Sequence, residues 1–295
     1  AECKGEERVR EQARELAERL ALWYNKEHDD WNWQRRSLMN RKALAVLTPL
    51  TILIAFMEIS GLPGAFIKCT IADIEPMIIP LTINFVFIGI LAFAVLKGFH
   101  IQFDFGFSGK GLAGGLKKYG LPGILAGVGS FAAFYIGLYP FDYQPTLWKV
   151  LFEGIIYYVG VGIVEEFYVR GLFLNILERI CSKSPRKTEA AVIISSVVFG
   201  LGHLPGVIGM GAEVIAFKLI STIGMGLYFG AIYKSTKNLW LPAILHFFID
   251  ICALPYCFTS EMFYPPLSMV ILSAVYLLLG IYSFLILKRA KKEER

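Results

Sequence analysis

The chain has 295 residues, of which 56% are hydrophobic and 18% charged, and its mean hydropathy is positive. A soluble domain of this size does not carry that apolar load, so composition places the chain in a bilayer as an all-α, polytopic membrane helix bundle. The net charge of +5 does not point to nucleic acid, because the basic residues gather at helix ends and termini instead of in one dense patch interleaved with aromatics.

Residues 1–42 are strongly charged and form a cytoplasmic or interfacial segment of their own. Within it, residues 6–24 set Val9, Ala13, Leu16, Leu20 and Trp23 at helical spacing beside charges of both signs. That pattern predicts an amphipathic helix lying against the membrane or the bundle. Trp31, Trp33, Arg35, Arg36, Arg41 and Lys42 read as an interfacial anchor. No secretory signal is expected, since the first apolar run follows this charged segment and many more succeed it.

A transmembrane domain is expected over residues 43–287, followed by a basic cytoplasmic tail at 288–295. Spans are predicted at about 43–59, 77–97, 120–139, 150–175, 188–204, 212–233, 239–256 and 266–287, about eight in all. The fifth is short, with Gly200, Gly202 and Pro205 near its end, the composition of a broken or tilted span. Phe103 to Tyr119, with five glycines plus Lys110, Lys117 and Lys118, reads as interfacial. Basic residues at Arg35–Lys42, Lys97–Lys118, Arg179–Lys187, Lys234 with Lys237, and Lys288–Arg295 fall on one side if eight helices alternate. Both termini are therefore expected in the cytoplasm, in a multi-pass protein of the cell membrane, or of the endoplasmic reticulum membrane in a eukaryote. Cys3, Cys69, Cys181, Cys252 and Cys257 are odd in number and lack CxxC spacing, so free thiols are expected.

An ionisable group inside a span is costly and is a functional candidate by default. Glu153, Glu213 and Lys218 lie towards the non-cytoplasmic ends of their spans, where snorkelling accounts for them. The others cluster. GIVEEFYVRG in the fourth span carries Glu165, Glu166 and Arg170. Glu166 and Arg170 are four apart, the spacing of a helical ion pair, whereas Glu165 points about 100° away and is the candidate general base. FGLGH in the fifth span sets Phe199 one turn before His203, and LHFFID in the seventh puts His246 and Asp250 on one face. Each alone could be packing glue between helices. Together they exceed what packing requires. His28, in the charged N-terminal segment, and His100, just beyond a helix end, read as surface groups.

The order EExxxR, FxxxH, HxxxN/D across successive helices resembles the family of CAAX prenyl endopeptidases and bacteriocin-processing immunity proteins. The likeness covers about half the chain, from about 120 to 256. It implies a glutamate-dependent, Ras-converting type of CAAX protease acting on a prenylated peptide or protein among membrane lipids, without metal or other cofactor. In the mechanism it implies, Glu165 and His203 activate water while His246 and Asp250 stabilise the oxyanion, with Glu166, Arg170 and Phe199 supporting them. Well-studied prenyl proteases have Asn where this chain has Asp250. An ionised aspartate cannot donate to an oxyanion, so Asp250 is either protonated or orients His246. The rival readings are a zinc-dependent membrane protease, whose HExxH spacing is absent, an ion-coupled transporter, and a non-enzymatic immunity scaffold.

Overall fold

A computed structural model describes residues 41–49, 71–76, 78–98, 111–261 and 263–293, together with residues 14, 15, 18, 38, 106 and 109. The described residues are helical with no strand. Six helices among them are long and apolar enough to cross a membrane. Helix α1 is Ile78–Gly98, α2 Leu112–Leu138, α3 Leu147–Ile180, α4 Lys187–Gly202, α5 Ala212–Thr236, α6 Trp240–Ile251 and α7 Pro266–Glu293. Apart from the few residues named, the amphipathic helix expected at 6–24 and the anchor before residue 42 lie outside the described residues. So does the second half of the first expected span, whose residues 41–49 are helical.

Two segments depart from a simple regular span. Residues 112–119 are helical and begin α2, whose opening runs Leu112–Gly115 as α-helix and Leu116–Gly120 as π-helix before Leu121. Their helicity is tertiary in origin. The Tyr228 hydroxyl donates to the Tyr119 carbonyl and accepts from the Gly123 amide at 3.2 Å, while Gly115 leaves room only for the Thr236 and Leu241 side chains. The fifth expected span, α4, has 16 residues, a rise of about 24 Å against a hydrocarbon core of about 30 Å. It ends at His203 inside the bundle.

Helix α5 is central, with Tyr228, Phe229, Ala231 and Ile232 fully buried. Without water between them, membrane helices gain most by approaching closely at small residues. Side chains added at Gly200, Gly226 and Gly230 would meet Ile223, Ser196 and Val192 at 2.5–3.0 Å. These pairs run in opposite directions, so α4 lies antiparallel to α5, with His203 level with Leu219 and Ile220. On the far side of α5, a Cβ on Gly224 would strike the Tyr276 carbonyl of α7. Helix α3 meets α6 at Gly162, where a Cβ would stand 3.0 Å from the Ala243 oxygen and 3.1 Å from the Phe247 nitrogen. The outer faces carry exposed Phe87, Ile90, Phe93, Val270 and Leu278, the surface a lipid environment requires.

Candidate active site

Helix α3 departs from regular geometry twice, as π-helix at Phe152–Ile156 and again in its second half. Tyr157–Glu165 is α-helical and Glu166–Leu174 is a π-helix, a wider winding that recurs at functional sites. Carbonyls near its end find a substitute donor: Asn175 Nδ2 bonds the Gly171 oxygen at 2.7 Å and the Arg170 oxygen at 3.4 Å. Asn175 is itself held by Tyr233 at 2.8 Å and by Lys234 Nζ at 3.1 Å, and Lys234 also pairs with Glu178.

The π-turn sends both glutamates to one imidazole. Arg170 Nη1 and His246 Nδ1 each lie 2.8 Å from Glu166 Oε1. Because a carboxylate only accepts, Nδ1 of His246 carries the proton in this bond, leaving Nε2 to face Glu165 and Asp250. Nε2 is 3.7 Å from Glu165 Oε2 and 3.4 Å from Asp250 Oδ2. The expected Glu166–Arg170 ion pair is therefore present, but Glu165 does not turn away from its neighbour's partner. The two carboxylates bracket the same ring from its two nitrogens.

Exposure separates their possible roles. The Glu166 side chain is 0% exposed, whereas those of Glu165 and Asp250 are 16% and 18% exposed. Glu165 Oε2 and Asp250 Oδ2 have no hydrogen-bond partner, and neither do Glu166 Oε2 and Arg170 Nη2. No described protein group bonds these four atoms, so water or a bound molecule is what can satisfy them.

Aromatic rings complete the walls. Arg170 lies 4.3 Å from the Phe199 ring centroid and 5.6 Å from that of Phe229, contacts that offset the burial of its charge. Phe199 stands between the two candidate histidines, 4.5 Å from the His203 ring and 6.1 Å from that of His246. His203 Nδ1 is 2.8 Å from the Phe199 carbonyl. A carbonyl can only accept, so Nδ1 bears hydrogen and a neutral His203 offers a lone pair at Nε2. The depth of His203 agrees with that of Glu165, since both lie roughly 22–24 Å along their helices from the 181–186 turn that joins α3 to α4. Phe229, 5.1 Å from His246, and the Asn175 brace carry no ionisable signature and were not singled out by sequence. Asn175, a polar residue near the end of a span, was the available signal.

Outside this centre, Glu153 pairs with Lys149 at 3.4 Å. Among the described residues Cys181, Cys252 and Cys257 are free thiols, and no three His, Cys, Asp or Glu side chains are placed to hold a metal ion.

Fold and centre together define a polytopic α-helical membrane protein with a carboxylate–imidazole centre enclosed by its helices. A family model described as type II CAAX prenyl endopeptidase, Rce1-like, matches residues 147–252, the stretch that contains all seven candidate site residues. The match spans 106 of the 295 residues and makes that stretch similar to the type II CAAX prenyl endopeptidases. No curated protein and no solved structure matches the chain.

Proposed function

We propose that this chain is an intramembrane endopeptidase that removes the C-terminal tripeptide of prenylated CAAX proteins, using water activated by Glu165 and His203. The observation that carries this reading is the division of labour around His246. Glu166 and Arg170, both fully buried, fix Nδ1, while Glu165, less buried as a side chain and with an Oε2 that has no hydrogen-bond partner, faces Nε2.

Glu165 removes a proton from a water that the His203 Nε2 lone pair helps to orient. The resulting hydroxide attacks the carbonyl carbon, the C–N bond breaks, and the proton held by Glu165 passes to the leaving amine. The oxyanion needs donors. A protonated His246 supplies one from Nε2. Glu166 already orients the ring through Nδ1, so Asp250 is not required for that task and serves as a second, protonated donor. The prenyl chain would enter from the bilayer between helices, with the peptide arriving from the cytoplasmic side, where both termini also lie.

The test is cleavage of a fluorogenic farnesylated CAAX peptide by the purified chain in detergent, with Glu165→Ala and with a chelator in parallel. Cleavage lost in the variant and retained with chelator is the expected result. Cleavage that survives Glu165→Ala would overturn the assignment, and cleavage abolished by chelator would replace it with metal-assisted hydrolysis.

A further inference from the structure

Beside the 181–186 turn, the last turn of α5 carries a lysine that none of the steps above uses. Lys234 Nζ lies 2.5 Å from Glu178 Oε2 and 3.1 Å from Asn175 Oδ1. The Lys234 and Glu178 side chains are only 18% and 20% exposed, so they do not extend into solvent as snorkelling groups do. Glu178 also accepts from the Thr188 hydroxyl at 2.5 Å, in the first turn of α4. One ammonium therefore joins α5 to α3 and, through Glu178, to α4.

What the ammonium fixes is the direction of an amide. Asn175 could offer either its oxygen or its nitrogen to the π-turn. An ammonium only donates, so Oδ1 must face Lys234. Nδ2 is then left to donate to the Gly171 carbonyl at 2.7 Å and the Tyr233 hydroxyl at 2.8 Å, with the Arg170 carbonyl at 3.4 Å. Turned round, the amide would set its oxygen against these carbonyls, and Gly171 would lose this donor.

From Gly171 the path to the imidazole has little slack. Arg170 carries the guanidinium that bonds Glu166 at 2.8 Å, and Glu166 bonds His246 Nδ1 at 2.8 Å. These three side chains are at most 2% exposed, and Phe199 and Phe229 pack on the guanidinium. A shift of the backbone at 170–171 is therefore passed to the ring, because no side chain can swing out to absorb it.

We infer that Lys234 is a positioning residue for the reaction: by directing Asn175 it sets the π-turn, and with it Arg170, Glu166 and the His246 ring. It acts from roughly 13 Å along α3, the rise from Glu166 to Asn175. This rests on the protease reading and adds to it a residue that touches neither peptide nor water. The plainer role, in which Lys234 and Glu178 only fasten α5 to α3, does not pass through Asn175.

The experiment measures kcat, KM and unfolding temperature for wild type, Lys234→Met, Lys234→Arg, Asn175→Ala and the Lys234→Met/Asn175→Ala double variant, each as the full chain in detergent with a farnesylated CAAX peptide. Lys234→Met is expected to lower kcat by roughly 3- to 10-fold, less than the roughly 100-fold of a 1 Å misplacement, with KM close to wild type. Lys234→Arg should recover most of the loss. On the Asn175→Ala background Lys234→Met should lower kcat no further, because the two residues act in series, whereas independent contributions multiply. Unchanged kcat in Lys234→Met, or losses that multiply in the double variant, would overturn the inference. If Lys234→Met does not fold, Asn175→Asp decides: it keeps an acceptor for Lys234 but removes the donor to Gly171, so kcat should fall as in Asn175→Ala, and a retained kcat would overturn the inference. Wild type that cleaves no farnesylated peptide would instead overturn the protease reading on which it rests.

Discussion

Two polar clusters stabilise different parts of this molecule, and they treat their carboxylates in opposite ways. In the loops at the end of the bundle opposite the 181–186 turn, Asp73 accepts from the Tyr143 hydroxyl at 2.7 Å, the Thr146 amide at 2.8 Å and the Thr146 hydroxyl. Asp142 accepts from the Ser260 amide at 2.9 Å and its hydroxyl at 2.5 Å. Every oxygen has a partner. In the centre between α3 and α6, Glu165, Glu166, Arg170 and Asp250 each keep one polar atom unpartnered. A satisfied network fastens chain segments together, whereas an incompletely satisfied one in a low-dielectric interior is retained for what it can bind. The loop cluster is thus a latch between the segments preceding α1, α3 and α7. The inner cluster is the site we propose.

That contrast can be broken most decisively at Glu165. Glu165→Gln should lower kcat by roughly 10²- to 10⁴-fold, the usual worth of a positioned general base, while leaving the unfolding temperature close to wild type because Oε2 holds nothing in place. Peptide cleavage and thermal unfolding in the same detergent check both halves. A large loss of stability would mean that Glu165 is structural.

Arg170 should behave in the reverse manner. Arg170→Met strands a fully buried Glu166 and should cost about 3–5 kcal/mol in unfolding free energy, and adding Glu166→Gln should restore part of it. If the double variant is less stable than the single one, the ion pair is not what Arg170 contributes. Next is Gly162, the contact that brings Glu165 and Glu166 to His246. Gly162→Val must separate α3 from α6 and should cost about 1–3 kcal/mol, with kcat falling more than KM rises. Asn175→Ala removes the brace on the π-turn and should cost about 1–2 kcal/mol, with a correspondingly smaller fall in kcat.

The smallest effect belongs to the latch and appears as a pH dependence. Partial burial pushes the Asp73 carboxyl up, but the Thr146 hydroxyl, the Thr146 amide and the Tyr143 hydroxyl together hold it at about 2, below its ordinary 3.8. Ser260 likewise holds Asp142 below the ordinary carboxylate value. A carboxyl depressed in the folded state stabilises above its unfolded value and loses that contribution as pH falls through the folded one. The difference in unfolding temperature between wild type and Asp73→Asn should therefore be constant above about pH 5 and shrink between about pH 4 and pH 2. A difference that does not change over that window would remove Asp73 from the latch.

Much of the inner site was legible in sequence because charge inside an apolar span is conspicuous. Glu165, Glu166, Arg170, His203, His246 and Asp250 stand out against residues that require no explanation in a membrane. What sequence missed depends on winding and contact. The π-turn that brings Glu165 and Glu166 to one imidazole leaves no signature in composition, so regular helical geometry separated them. Residues 112–119 looked interfacial from their glycines and lysines; that they are helical and begin α2 rests on contacts from Tyr228, Thr236 and Leu241, far along the chain. The spans themselves followed from length and apolarity. The short α4 followed from its glycines, although its ending at the depth of Glu165 needed the α3–α4 turn to be located.

The central claim is that the unsatisfied inner cluster cuts a peptide bond three residues from the end of a prenylated chain. Mass spectrometry of a farnesylated CAAX peptide after incubation with wild type and Glu165→Gln tests it most directly. The expected result is a product shortened by its last three residues with wild type and intact peptide with the variant. Cleavage at another bond, or the same shortened product from both proteins, would contradict it.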